Sequence, residues 1–234
     1  MMKRLPLITK DGSHTISIPE MNVTYHSIHG AIQESMHVFI KAGLEAIRPQ
    51  SVVADYGHHP IAIFEMGFGT GLNALLTLID AEEKKQPVYY YSVELFPLNN
   101  EEVNQLNYCN ELNRSALQPL FEQLHNCEWE KDIRITNHFT IHKTNTDLTH
   151  LSTPGRFNLI YYDAFAPGAQ PELWTASVFE KLYNLLLPGG ILVTYCSKSD
   201  VQRAMKAAGF GIEKIPGPPG KREMIRAVKQ PVAQ

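Results

Sequence analysis

Cysteine is scarce in this chain. Cys109, Cys127 and Cys196 are scattered over 234 positions with no CxxC pair and no Cys/His ligand spacing. That pattern argues against a disulfide framework or a structural zinc and favours a reducing, cytoplasmic setting. Long apolar runs are missing as well: nothing approaches the ~18 residues of a membrane helix, so no membrane association is expected. In "MMKRLPLITKDG", Pro6 and Lys10 interrupt the apolar stretch before it reaches signal-peptide length. The histidines His26, His29, His37, His58 and His59 lack Cys or carboxylate partners at ligand spacing, and no metal is expected. No repeat and no low-complexity tract is visible.

A strong net charge is also lacking, at −3 overall, yet the charge is unevenly placed. From Cys196 onward there are eight Lys/Arg against three Asp/Glu, a net +5, so the rest of the chain carries −8. A basic end of this kind suits a polyanionic partner, and it equally suits an ordinary solvated surface.

What is present is alternation. "LPLIT" and "HTISI" flank an Asp11-Gly12 turn and predict a β-hairpin. "YHSIHGAIQESMHVFIKAGLEAI" has helical spacing at Ala31, Ile32, Met36, Phe39, Ile40 and Leu44 and ends at Pro49. These two pieces form an N-terminal appendage over 1–50, with the main domain over 51–234, the whole making one compact unit. The strand "IAIFEM" then meets "GFGTG" and a helix from Leu72 to about Glu83. "PVYYYSVEL" reads as a strand and "NNEEVNQLNYC" and "SALQPLFEQL" as helices. "IRITNHFTIHKTN" reads as one bent strand or two short ones. "RFNLIYYD" is a buried strand, "ASVFEKLYNLLL" a helix, Pro188-Gly189-Gly190 a turn and "ILVTYC" another buried strand. "SKSDVQRAMKAAGF" is a helix capped by Ser197 or Ser199, and "GIEKIP" with "KREMIRAVK" makes a closing antiparallel pair. Such β/α alternation predicts an α/β fold with a doubly wound, mostly parallel sheet whose ligand sits beyond the strand ends.

The loop Gly67-Phe68-Gly69-Thr70-Gly71 joins a strand to a helix, where glycines allow positive φ and a close ligand approach. Its spacing is GxGxG, unlike the GxGxxG of dinucleotide sites, and Glu65 just before it would repel a pyrophosphate. This disfavours NAD and favours a phosphate-free ligand whose charge is positive, for which S-adenosylmethionine is the fitting choice. Glu94, 27 residues past Gly67, ends the next strand, where a carboxylate can accept two ribose hydroxyls. Thr70 and Asn73 are candidates for the amino-acid portion. Thr144, Asn145 or Asp147 are candidates for the adenine.

Asp163 closes "NLIYYD" and is followed by "AFAPGAQPELW". One reading makes it a cap for a Pro-containing turn. The other brings it to the incoming nucleophile, with Phe165, Pro167 and Trp174 shaping an aromatic mouth for a flat base.

In order, "DGSHT", "YHSIHGAIQESMHVFIKAGL", "EMGFGTGLNAL", "YYDAFAPGAQPELW", "TYCSKSDVQRAMKAAGF" and "KREM" resemble the methyltransferase half of the MnmC-type tRNA wobble-uridine enzymes and their stand-alone MnmD form. The resemblance spans nearly the whole chain. It implies a Rossmann-like class I S-adenosylmethionine-dependent methyltransferase fold. It also implies methyl transfer to the exocyclic amine of 5-aminomethyl-2-thiouridine in tRNA, giving 5-methylaminomethyl-2-thiouridine. It does not extend to the flavin-dependent oxidase half, so FAD is not expected and a separate enzyme would supply the aminomethyl group. Asp163 then orients the amine and relays its proton, Glu34 lies near the cofactor, and Lys198, Arg203, Lys221, Arg222 and Arg226 meet tRNA phosphates. A methyltransferase of small amines or proteins would share every cofactor feature, and a non-catalytic binding module on the same fold is a further alternative.

Overall fold

The structure, a computed structural model, describes residues 3–48, 59–153 and 156–231. Pro49 and His58 lie outside the described residues. The chain opens with three short strands, β1 (Leu5–Ile8), β2 (His14–Ile18) and β3 (Val23–Thr24), paired antiparallel as a small sheet. The expected hairpin is therefore extended by one strand. The helix that follows does not begin at Tyr25. Gly30, at φ 145, breaks the chain, and helix α1 runs over Ala31–Ser35 and on through wide π-type turns over Met36–Leu44. Six of the seven residues from Val38 to Leu44 are buried, a broader face than one 3.6-period stripe supplies. Gly43 lets this helix lie against the main sheet: a Cβ there would sit 3.1 Å from Val193 and 3.2 Å from Tyr161. The appendage helix thus shares the core of the larger layer.

That layer is an eight-stranded sheet in the order β10-β11-β9-β8-β4-β5-β7-β6. Its parallel centre consists of β9 (Leu186–Thr194), β8 (Phe157–Tyr162), β4 (Ile61–Met66), β5 (Val88–Val93) and β7 (Phe139–Thr144). The edges are antiparallel: β6 (Asp132–Arg134) on β7, and β10 (Gly211–Pro216) with β11 (Glu223–Val228) on β9. The "IRITNHFTIHKTN" stretch is two strands. The central strand β8 buries Tyr161 and Tyr162 on opposite faces, as a strand covered by helices on both sides must.

The helices are α2 (Leu72–Lys84), α3 (Asn100–Val103), α4 (Tyr108–Glu111), α5 (Gln118–Asn126), α6 (Ala176–Leu185) and α7 (Ser199–Ala207). The single helix read in "NNEEVNQLNYC" is two one-turn pieces, the first closed by a reciprocal capping box between Asn99 and Glu102. Helix α7 is preceded by Lys198 without a side-chain cap. Pro188-Gly189-Gly190 is no free turn: it lies inside β9 as a bulge opposite Phe157–Leu159. Gly190 is required there, since a Cβ would meet the Leu187 and Asn158 carbonyls at 2.9 and 3.0 Å. Among the described residues no helix is long and apolar enough to cross a membrane.

Strand order reverses at β4, with β5 on one side and β8 on the other. The carboxyl ends of these three strands therefore open onto one crevice.

Candidate functional site

The glycine loop leaves β4 at Met66 and enters α2 at Leu72, with Gly67, Gly69 and Gly71 at φ 89, 51 and 71. Glu94, one residue past β5, fastens the loop: its Oε2 accepts the Gly69 N–H at 3.0 Å and its Oε1 the Phe96 N–H at 2.8 Å. Thr70 is buried between two histidines. His26 Nε2 pairs with its hydroxyl at 2.7 Å, and His125 Nε2 donates to its carbonyl at 3.1 Å. Burial pushes both imidazoles down to about 4, so each is neutral at physiological pH.

Asp163 follows β8 directly. Its N–H reaches the Met66 carbonyl at 3.3 Å, tying the ends of β8 and β4 together. Its Oδ2 accepts from Asn73 Nδ2 at 2.9 Å. Burial first, and then the Glu34 charge, push its carboxyl up to about 7, against the opposing pull of Asn73 and Lys221. Glu34, buried on α1, accepts the Ser27 N–H at Oε2 (2.7 Å) and Lys221 Nζ at Oε1 (2.5 Å). The Lys221 ammonium also lies 3.9 Å from the centre of the Tyr195 ring. Lys221 is thus held at the back of the Asp163 site.

His26, Thr70, Asn73, Glu94 and Asp163 border a cleft of about 390 Å3, whereas Gly71, Glu34, His125 and Lys221 lie outside its lining and do not meet the ligand space directly. It is lined by Gly67 through Thr70, Asn73, Glu94, Leu95, Phe96, Asp163 and Phe165. Thr146, Asp147 and Thr149 line it from the loop after β7, while Thr144 and Asn145 do not. Thr144 Oγ1 meets the Tyr91 hydroxyl at 2.9 Å, and Asn145 Nδ2 donates to the Glu94 carbonyl at 2.8 Å, so both buttress the wall. Trp174 is buried beneath the mouth, donating from Nε1 to the Phe165 carbonyl at 2.8 Å and packing edge-on against Tyr162. Phe165 remains at the surface of the cleft, and Pro167 sits in the loop beyond it without lining the cleft. Glu65 lies fully buried under the floor. Of the basic candidates, Lys198 and Arg222 are exposed, and Arg203 forms an exposed pair with Asp200. Arg226 is turned inward to the Ala42 carbonyl and Glu213.

Sequence reasoning missed the contribution of the appendage. Arg4, Tyr25 and His26 line the cleft. Arg4 donates to the Phe96 and Pro97 carbonyls and to Glu102. Tyr25 stands edge-on to Phe165 at 5.2 Å and against Gly69, where a Cβ would come within 3.0 Å of its ring. The only local signal was the Tyr25-His26 pair ahead of Gly30. Among the described lining residues Arg4 is the one Lys or Arg, against Glu94, Asp147, Asp163 and Glu172. The cleft therefore favours a cation.

The buried groups give the fold a pH signature. Asp163 and Glu65, raised to about 7 and about 8, contribute stability that is full below the ordinary carboxylate pKa and is lost as pH rises through those values. His26 and His125, lowered to about 4, contribute stability present above about 6.5 and lost as pH falls toward 4. The two effects oppose one another below pH 6.5. Scanning calorimetry should show the thermal midpoint rising by a few degrees from pH 8.5 to 6.5 and then levelling. A steady fall over that first interval would contradict these assignments.

Residues 108–230 match the family described as S-adenosyl-L-methionine-dependent methyltransferase. Among curated proteins, the chain is 29% identical to the tRNA 5-methylaminomethyl-2-thiouridine biosynthesis bifunctional protein MnmC of Leptospira interrogans, over 86% of this chain and 32% of that protein. It is 31% identical to the protein of the same name from Cupriavidus metallidurans, over 97% of this chain and 34% of that protein. The chain thus spans about a third of the length of the curated relatives it matches. The crystal structure of MnmC2 from Aquifex aeolicus superimposes over 100% of this chain and 74% of its own, with a TM-score of 0.75 at 21% identity, a likeness of fold. With a family match across more than half its length, joined to a GxGxG loop and strand-end acids in one crevice, the chain belongs to the S-adenosyl-L-methionine-dependent methyltransferase family.

Proposed function

We propose that this chain transfers a methyl group from S-adenosylmethionine to the exocyclic amine of 5-aminomethyl-2-thiouridine at the tRNA wobble position, in a cytoplasmic setting. The observation that carries the reading is the placing of Asp163. Its carboxyl, raised to about 7, faces the cleft at the end of β8, beside the glycine loop and opposite Glu94. The residues present fit the cofactor. Four lining carboxylates against one Arg suit a sulfonium and an α-ammonium, and the loop from Gly67 to Thr70 lines the cleft beside them. Glu94 would hold the ribose, Thr70 and the α2 N-terminus the amino-acid end, and Leu95 and Phe96 an apolar ring. The bound cofactor supplies an electrophilic methyl group.

The protein's part is positioning and proton handling. Phe165 and Tyr25 flank the entrance, where a base can stack. Asp163 accepts a hydrogen bond from the incoming amine and takes its proton for release to water. Lys198, Arg222 and the exposed Arg203 offer phosphate contacts, whereas Lys221 and Arg226 are engaged within the protein. The similarity to the tRNA 5-methylaminomethyl-2-thiouridine biosynthesis bifunctional proteins MnmC supports this substrate.

Labelled methyl transfer to tRNA bearing 5-aminomethyl-2-thiouridine is expected, with nucleoside mass spectrometry giving the methylamino product. Labelling of small amines alone would refute the reading. With about three phosphate contacts, tRNA affinity should drop roughly 20- to 40-fold between 50 and 200 mM salt. A salt-independent affinity would remove the basic surface from the interface.

A further inference from the structure

Among the described residues, one arginine stands among the acids of the cleft. Arg4, immediately before β1, lines the same space as Glu94, Asp147, Asp163 and Glu172. A bare guanidinium there would repel the cation that those carboxylates suit. Its N–H groups are instead engaged by the protein. Nη2 donates to the Phe96 carbonyl at 2.6 Å, and Nη1 donates to the Pro97 carbonyl at 3.1 Å and to Glu102 Oε2 at 3.2 Å. The Arg4 side chain is 14% exposed and that of Glu102 17%, so this charge pair is largely withdrawn from water.

The same short segment is held from its other side. Glu94 Oε1 accepts the Phe96 N–H at 2.8 Å, while its Oε2 accepts the Gly69 N–H at 3.0 Å. Phe96 is thus pinned at both of its peptide groups, by Glu94 at the N–H and by Arg4 at the carbonyl. Glu102 Oε2 also accepts the Asn99 N–H at 2.8 Å, closing the capping box of α3. One guanidinium therefore ties the segment after the strand-end acid to the start of the next helix. Side-chain packing contributes little here, because Leu95 and Phe96 are 44% and 55% exposed. Arg4 itself has a fixed origin. Strand β1 pairs with β2 from Leu5 opposite Ser17 to Ile8 opposite His14, β2 buries Ile16 and Ile18, and the Lys3 N–H donates to Glu20 Oε1 at 3.1 Å. The clamp on Phe96 thus reaches 92 positions along the chain from an anchored strand.

We propose that Arg4 is a positioning residue for the cofactor: by holding the Phe96 and Pro97 carbonyls, it keeps Leu95, Phe96 and the Glu94 carboxylate arranged to receive the adenosine half before any ligand arrives. Glu102 answers its charge, which leaves the cleft acidic. The role rests on the reading in which Glu94 takes the ribose. Without Arg4 the ligand must order this segment itself, and fixing the backbone of about one residue is equivalent to roughly tenfold in affinity.

Arg4→Met keeps the aliphatic stem and removes the fork. It is expected to weaken calorimetric affinity for S-adenosylmethionine and for 5′-methylthioadenosine by about tenfold each. The second ligand is neutral and lacks the amino-acid end. If Arg4 acted only through its charge, the variant would instead bind the cationic ligand more tightly and the neutral one unchanged. In a Glu94→Ala background Arg4→Met should cost less than about threefold, because two residues that hold one segment do not add. In the cofactor-free protein, hydrogen exchange at the Phe96 N–H should quicken about tenfold in Arg4→Met, with the amides of β4 and β5 changed less than about twofold. Arg4→Lys retains the charge without the fork and should resemble the methionine variant more than the wild type, which gives a second reading should the methionine variant not fold. Unchanged or tightened affinity for the cationic ligand in Arg4→Met, or full additivity with Glu94→Ala, overturns the proposal. A wild type that binds neither adenosyl ligand, although exchange at Phe96 quickens as expected, would overturn the proposed function and the cofactor role of Arg4 with it.

Discussion

Asp163→Asn is expected to lower turnover about a thousandfold while changing affinity for S-adenosylmethionine less than about threefold. The substitution is nearly isosteric, and the new side chain keeps an oxygen for Asn73 Nδ2 and the backbone link to Met66, so the floor of the cleft stays in place. What disappears is an acceptor for the amine's proton. A primary alkylamine resembling lysine has a pKa near ~10, so about one molecule in a thousand is neutral at pH 7. An ordinary carboxylate at ~4 would face a mismatch of about six units. Asp163, at about 7, faces about three, or ~4 kcal/mol. Burial and the Glu34 charge therefore bring the base closer to its task. They also temper the opposite tendency, since any carboxylate nearby stabilises the ammonium form. Wild-type turnover should rise with pH and bend at about 7 as Asp163 ionises, whereas the variant should rise without that bend toward the amine's own pKa near ~10. Initial rates against pH, paired with calorimetry of cofactor binding, check both halves. Equal losses in turnover and affinity would mean that Asp163 serves the cofactor and not the amine.

Legibility in the sequence followed the range of the interactions. The parallel strands were readable because burial on both faces leaves a near-continuous apolar run, as in "FNLIYY". The GxGxG loop and the strand-end acids were readable because a turn between strand and helix is a local event. Boundaries failed where one residue outweighed the periodicity. Gly30 delays α1 by several residues and frees Tyr25 and His26 to reach the glycine loop. The Pro188-Gly189-Gly190 signal was real turn chemistry, spent on a bulge because the flanking residues still found ladder partners.

Long-range pairings were not readable at all. Lys221 and Glu34 are 187 positions apart, and nothing in either segment encodes their contact. Exposure of a lysine cannot be read from composition, and so Lys221 was grouped with surface cations although it sits behind Asp163. Trp174 raised the same difficulty. An indole in a loop reads equally as a stacking platform or as a buried anchor, and the bond from its Nε1 to the Phe165 carbonyl puts it in the second role. Phe165 then carries the aromatic surface of the entrance.

The other large effect expected is on binding: Glu94→Ala should weaken S-adenosylmethionine affinity about a hundredfold. An ionised carboxylate has about four lone-pair directions. Two are used within the protein, on the Gly69 and Phe96 N–H groups, and the remainder are free for a ribose diol. Truncation removes the diol's acceptors and also strips two backbone donors of their partner at the loop that shapes the site. Two hydrogen bonds from the diol to a charged acceptor, at about 1.5–3 kcal/mol each, bring the total to ~3 kcal/mol or more, the equivalent of that hundredfold. Glu94→Gln retains one acceptor oxygen and should fall between, near tenfold. Turnover at saturating cofactor should drop less than about tenfold in either variant, because Asp163 is held by Asn73 and by the Met66 carbonyl, and neither bond passes through Glu94. Calorimetric affinity with single-turnover rates separates the two quantities. An unchanged affinity with collapsed turnover would reverse the division of labour between the acid at the end of β5 and the acid at the end of β8.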